Sequence, residues 1–210
     1  MNTLEGVMIV GLTGQTGAGK THVSSIFEKK GFSIVNADHI ARIVVEKGKP
    51  CLAEITEFFS EEILLEDGTL NRALLGQIVF TDKARLELLN SIIYPYITAE
   101  ILCTIKRMSY EGKKLFLLDA PTLFESRTDD FCELIISVMS DADIRLERIM
   151  KRDNITREAA MHRMTSQLDE EFFKQNSDFI IKNNDDMINL YAVANEVADK
   201  IIDYYNNNYI

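Results

Sequence analysis

The stretch "GLTGQTGAGKTHVSSIF", residues 11–27, sets four glycines ahead of one lysine, between an apolar run and a segment of helical character. "VMIVGLTG" (7–14) reads as a short buried strand and "KTHVSSIFEKKG" (20–31) as a helix ended by Gly31. Gly14-Gln15-Thr16-Gly17-Ala18-Gly19-Lys20-Thr21 fits G-x-x-x-x-G-K-S/T in full, at the strand-to-helix junction its mechanism needs. Glycines let successive backbone N–H groups point into one concavity, and the helix N-terminus behind them favours negative charge. The pattern therefore predicts a polyphosphate cradle. Lys20 reaches the β- and γ-phosphates, and Thr21 sets its hydroxyl on Mg²⁺. The competing reading is a glycine turn that only packs strand on helix.

Outward from that loop, strands alternate with helices. "FSIVNAD" (32–38) reads as the second strand and "HIARIVVEKGK" (39–49) as a helix. "KKLFLLDAP" (113–121) and "CELIISVMS" (132–140) read as the third and fourth strands. "DADIRLERIMKRD" (141–153) has the acidic start and basic end that suit a helix dipole. "SDFIIKNND" (177–185) is the fifth strand, followed by a helix from Met187, with the tail "YYNNNYI" frayed. This order predicts an α/β fold: a five-stranded parallel sheet flanked by helices. Residues 50–108 break the alternation and read helical almost throughout. In "TLNRALLGQIVF", Leu70, Leu74, Leu75, Ile78 and Val79 recur at helical spacing. Residues 81–108 read as one helix bent at Pro95 or as two helices meeting there. Such an all-helical insertion covers a substrate or simply packs on the core.

Composition narrows the function. A formal charge of -10 argues against nucleic acid or an anionic membrane as the main partner. The apolar run before the loop is too short for a signal or membrane segment, and no other span is expected. Cys51, Cys103 and Cys132 lack metal-ligand spacing and are expected as buried free thiols of a reducing cytoplasm. His22, His39 and His162 have no spacing for metal or triad work. No N-K-x-D segment is present, and the third strand is followed by Asp119-Ala120-Pro121-Thr122 instead of D-x-x-G, so a regulatory GTPase is disfavoured. A small-molecule kinase fits.

All strands of a parallel sheet end at one edge, so the loop, Asp38 and Asp119 are expected to converge there. Asp38 is the candidate base. The competing reading makes it a helix N-cap paired with Arg42. Asp119 is a candidate magnesium-water ligand. Phe124 and Glu125 fall at the same edge. Arg145, Arg148, Lys151, Arg152, Arg157 and Arg163 form a basic run in an acidic chain, read either as a mobile flap over phosphates or as a solvated helix face.

With these motifs in hand, the chain resembles the dephospho-CoA kinase family over nearly all its length. "VGLTGQTGAGKT" is similar to the family's V-G-L-T-G-G-I-G-S-G-K-S/T, and "VNADHIAR" to D-A-D-x-x-A-R. "GTLNRALLGQIVF" resembles G-x-L-N/D-R-x-x-L-x-x-x-V/I-F, and "LNSIIYPYI" resembles L-N-x-I-x-H-P-x-I. "LDAPTLFES", "RDNITREAAMHRMTSQ" and "SDFIIKNND" are similar to its remaining motifs in order. The sequence departs at Tyr94, where the family has histidine, at Asn36, where it has aspartate, and at Thr122, where it has leucine.

The resemblance implies transfer of the ATP γ-phosphoryl group to the ribose 3′-hydroxyl of dephospho-CoA, with Mg²⁺. It implies one P-loop kinase domain over 1–210, with a core of about 1–49 and 113–210. A helical CoA-binding insertion spans about 50–112 and a basic helical lid about 145–167. It carries Gly17, Ala18, Gly19, Lys20, Thr21 and His22 to ATP binding, with Arg148, Arg152, Arg163 and Asn183. Lys20, Asp38, Arg148 and Arg152 are the expected catalytic residues. Asp38, Arg42, Asn71, Arg72, Tyr94 and Pro95 are expected on the acceptor side, and Thr21 and Asp119 at the metal. The expected partners are ATP and dephospho-CoA, with no nucleic acid or membrane, in a cytoplasmic monomer or small homo-oligomer. Another small-molecule or nucleoside-monophosphate kinase and a non-catalytic ATP-binding module are the alternatives.

Overall fold

A computed structural model describes residues 4–209. In chain order they form β1 (Met8–Gly14), α1 (Lys20–Lys29), β2 (Ser33–Asn36), α2 (Ala37–Ile43) and α3 (Pro50–Phe59). Next come a 3-10 turn (Glu61–Ile63), α4 (Arg72–Phe80), α5 (Lys83–Tyr110), β3 (Leu115–Asp119) and a second 3-10 turn (Thr128–Phe131). The chain finishes with β4 (Leu134–Met139), α6 (Ala142–Asp153), α7 (Arg157–Thr165), α8 (Glu170–Gln175), β5 (Phe179–Lys182) and α9 (Met187–Tyr209). Two compact units result. The second is Asn36–Arg107, and the first holds the chain on either side of it.

The first unit carries a five-stranded sheet in the order β2-β3-β1-β4-β5. β1 pairs in parallel with β3 and β4, and β4 with β5. Every residue of β1 is buried, which is why this strand reads as a continuous apolar run. Chain crossing runs from β1 towards β2 on one side and later to β4 on the other. The winding therefore reverses at β1, and the crevice beyond its carboxyl end is where such sheets bind ligands.

α1 packs on this sheet through Val23, Ile26 and Phe27, in one cluster with Leu190, Ala194, Val197, Ala198 and Ile201 of α9. Burying one such side chain stabilises the fold by about 2 kcal/mol. The helix stops by a defined device. The Gly31 N–H donates to the Glu28 carbonyl, and the Phe32 N–H donates to the Phe27 carbonyl. These are the paired bonds of a Schellman motif. Its hydrophobic contact is the Phe27–Phe32 edge-on ring pair, 4.8 Å between centroids.

The second unit is built from helices. Asn36 caps α2 by accepting from the His39 N–H at 2.8 Å. The helix ends at Ile43, short of the 39–49 reading; further on, Pro50 holds Lys49 in extended backbone (ψ 143°) and itself opens α3. Leu64 and Leu70 bridge around a turn at Gly68, where Asp67 accepts from the Thr69 N–H and hydroxyl. α5 is one continuous helix through Pro95. By length and mean hydropathy (1.4 over its most apolar window) it could cross a membrane. Here it is an element of the helical unit, with Ile92, Ile97, Ile101 and Ile105 on its buried face. The expected insertion, about 50–112, overlaps this unit, which also takes in α2.

Two expectations are corrected. The tail read as frayed is helical to Tyr209. Tyr205 is buried, its hydroxyl donates to the Gly6 carbonyl at 2.9 Å, and its ring stacks on Tyr209. Ile210 lies outside the described residues. The cysteines are free thiols, but only Cys51 is buried, whereas Cys132 is half-buried and Cys103 exposed. Cys103 faces outward because the buried stripe of α5 runs through Ile101 and Ile105.

Candidate active site

The glycine loop leaves β1 at Gly14, where the Val138 carbonyl occupies the place a Cβ would take. The Gln15 N–H donates to that same carbonyl at 3.2 Å. The Ala18 N–H then turns back to the Gln15 carbonyl at 3.1 Å. Gly17 packs on α6, where an added Cβ would stand 2.9 Å from the Arg145 carbonyl and 3.0 Å from Ile149. Gly19, with φ +96°, is the N-cap of α1 and offers no side chain to the helix amides. No acidic residue sits in the first turn. The positive end of α1 is thus left for an anion.

Lys20 folds back over the loop and donates to the Gly14 carbonyl at 2.9 Å. Thr21 and His22 are exposed at the start of α1. Asn183, after β5, is buried under the loop and donates from its side-chain amide to the Ala18 carbonyl at 2.7 Å. It acts here as a buttress of the cradle. Gln15 Oε1 is buried with no partner among the described residues.

Asp119 ends β3 beside β1, in register with Leu12, and is buried. Asp119 and Thr21 are the two oxygen donors expected at a metal from the sequence. Among the described residues no three His, Cys, Asp or Glu gather as a metal cage. The donor set suits a hard cation shared with phosphate oxygens and waters, the usual habit of Mg²⁺. Glu125 belongs to the segment after β3. Desolvation raises its carboxyl above the ordinary range, and the Lys20 ammonium opposes that. Phe124 fixes this segment on α8 through an edge-on contact with Phe172, 5.1 Å between centroids.

The basic run divides in the structure. Arg145 is buried and donates to the Ser140 carbonyl at 2.9 Å. Desolvation pushes its guanidinium pKa below the ordinary value, and the charge of Glu170 opposes that. Arg148 donates to the Asn183 carbonyl at 3.1 Å. Arg152 forks onto both Asp153 oxygens at 2.8 Å, and Arg163 donates to one of them at 2.6 Å. Hydrogen bonding from Arg152, then its charge and that of Arg163, holds the Asp153 carboxyl below the usual range. A small apolar core of Leu146, Ile149 and Ala160 joins α6 to α7.

In the second unit Asp38 and Arg42 are both exposed on α2 and form no ion pair with each other. The N-cap is Asn36, so the reading of Asp38 as a cap with an i,i+4 partner is overturned. Asn71 caps α4 by accepting from the Leu74 N–H at 3.1 Å, and Arg72 donates to the Arg42 carbonyl at 3.3 Å. Tyr94 is half-buried and Pro95 exposed on α5. Sequence reasoning assigned no role to Gln167, Asp153, Ser140 or the Tyr96–Glu54 hydrogen bond of 2.7 Å. The order R-D…R…Q pointed at the first two without saying what they touch.

A phosphate cradle at the reversal point of a parallel sheet, with arginine-bearing helices packed on its rim, defines the P-loop class of α/β phosphotransferases. Comparison with known proteins narrows the class. Residues 8–189 match the dephospho-CoA kinase family. The dephospho-CoA kinase of Listeria innocua is 42% identical over 178 residues, 85% of this chain and 89% of that protein. The solved dephospho-CoA kinase of Campylobacter jejuni superposes with a TM-score of 0.69 at 30% identity, covering 92% of this chain and 96% of that one. A shikimate kinase of Acinetobacter baumannii, solved with shikimate, shares the fold at 14% identity and a TM-score of 0.54, covering 96% of each chain. The chain belongs to the dephospho-CoA kinase family.

Proposed function

We propose that this chain transfers the γ-phosphoryl group of ATP to the ribose 3′-hydroxyl of dephospho-CoA, yielding coenzyme A and ADP. The observation that carries the reading is the complete phosphate cradle, with Lys20 folded over it, in a chain that matches the family across residues 8–189. Backbone amides from Gly17 to Thr21 and the α1 N-terminus hold the phosphates, and Lys20 neutralises the β/γ charge. Asp38 orients the 3′-hydroxyl and takes its proton. The hydroxyl oxygen then bonds to the γ-phosphorus as the bond to the β,γ-bridging oxygen breaks, and ADP leaves. Thr21 and Asp119 would hold the magnesium, which supplies charge neutralisation at the β- and γ-oxygens. Arg148, Arg152 and Arg163 act on the phosphoryl charge that develops in the transition state. The unit Asn36–Arg107 serves the acceptor, with Arg42, Asn71, Arg72, Tyr94 and Pro95 on that side, and α6–α7 serves as the lid. Free thiols support a reducing, cytoplasmic setting.

The test is ATP turnover over a panel of acceptors: dephospho-CoA, AMP, CMP, shikimate and pantothenate. Turnover with dephospho-CoA alone is expected. Preference for another acceptor ends this reading, and no turnover with any acceptor supports a non-catalytic module.

A further inference from the structure

Gln167 lies in the turn between α7 and α8, beyond the last arginine of the basic run. Its Oε1 accepts from the Thr16 N–H, inside the glycine loop, at 2.6 Å. The two residues are 151 positions apart in sequence, so the contact is a pure product of the fold. The surrounding loop bonds show why it matters. The Gln15 N–H goes to Val138, the Ala18 N–H to Gln15, and the Ala18 carbonyl to Asn183. Thr16 is the loop residue whose amide is bound by the α7–α8 turn. Its neighbour Gly17 lies close against α6, where an added Cβ would stand 2.9 Å from the Arg145 carbonyl and 3.0 Å from Ile149. A peptide plane between two such contacts is fixed in rotation. That rotation decides whether the following amides share one concavity.

We propose that Gln167 is a positioning residue for the phosphate loop: it holds the Thr16 peptide in its phosphate-binding orientation and ties α7–α8 to the loop. Nucleotide affinity and order of the arginine-bearing helices are therefore linked through one side-chain amide. The proposal rests on the reading of Gly14–Thr21 as an ATP cradle. Gln167 itself touches no reacting atom in this account. Its contribution is to hold the loop ready before ATP arrives, so its loss is felt in ground state and transition state alike.

The experiment compares wild type with Gln167→Met, which keeps length but has no comparable acceptor. It adds Gln167→Asn, which keeps the amide one methylene short, and Gln167→Glu, which keeps the acceptor. In the nucleotide-free protein, exchange of the Thr16 amide is slow in wild type and Gln167→Glu. It becomes about tenfold faster in Gln167→Met and Gln167→Asn, while the Gln15 amide is unchanged. Calorimetry then shows ATP bound about tenfold more weakly by Gln167→Met, with KM for ATP rising equally. KM for dephospho-CoA and kcat stay within about twofold. Melting temperature on the same samples separates this pattern from global loss of fold, and the Asn variant answers if Met does not fold. Equal Thr16 exchange in all four proteins overturns the proposal. So does wild-type ATP affinity in a folded Gln167→Met. A wild type that binds no ATP overturns the cradle reading and the proposal together. A wild type that binds ATP but leaves dephospho-CoA untouched overturns the proposed reaction alone.

Discussion

The glycine loop and the α6–α7 arginine segment are built from opposite materials. The loop works with backbone. Its shape is imposed by Gly14 against Val138, Gly17 against α6 and Gly19 capping α1, each a contact that a Cβ would disturb. The arginine segment works with long side chains, and its guanidinium groups are tied to protein acceptors. Arg152 and Arg163 share Asp153 while remaining 60% and 52% exposed, and Arg148 reaches the Asn183 carbonyl. The loop is therefore organised before any ligand arrives. The segment holds its charge in partly exposed pairs, which are weak in water.

Breaking the loop side should give the largest effect. Lys20→Ala is expected to reduce turnover about 10³-fold or more, because a developing phosphoryl charge loses its fixed counter-charge. Calorimetry should show ATP weakened far more than dephospho-CoA. Normal turnover by the purified variant would remove Lys20 from the mechanism.

Next comes Asp38, the proposed base, which is not the cap of α2 because Asn36 holds that place. Asp38→Asn should lower kcat about 10²-fold with both substrates still bound and melting temperature unchanged. A drop in melting temperature large enough to explain the loss would return Asp38 to a structural role.

The arginine side is sharpened by a double-mutant cycle. Arg152→Ala and Arg163→Ala should each lower kcat about a hundredfold with little change in ATP affinity. Because both bond to Asp153, their effects should not add. Fully additive losses would mean that the shared carboxylate does not couple them.

A smaller effect is expected from pH. Asp153 is held below its unfolded value, so its stabilising pairing is complete above about pH 4 and fades as pH falls through the lowered folded value. The melting-temperature gap between wild type and Asp153→Asn should close below about pH 4. A gap independent of pH would deny the pairing its electrostatic character.

The smallest readout leaves activity aside and asks about burial. Cys103 is exposed, whereas burial pushes Cys51 up to about 11 and Cys132 up to about 12. Timed alkylation with mass spectrometry should label Cys103 first. Early labelling of Cys132 would show that the loop before β4 opens readily.

The sequence by itself determined the sheet, the loop and the family. These follow from short-range rules: a continuous apolar run for a central parallel strand, glycines where backbone meets backbone, and a Gly31-Phe32 ending that closes α1 on Phe27. Such signals lie within a few residues of one another, so spacing records them. It left undecided whether Asp38 caps α2 or acts on the acceptor, and it misread the C-terminal tail, whose asparagines hide that Tyr205 docks on Gly6 from 199 positions away. Only the tertiary structure decided that Asn36, and not Asp38, caps α2. The same holds for Asp153 joining two arginines and for Gln167 reaching the Thr16 amide. A polar side chain accepts whichever donor the fold brings within about 3 Å, and its own sequence neighbourhood carries no record of that donor.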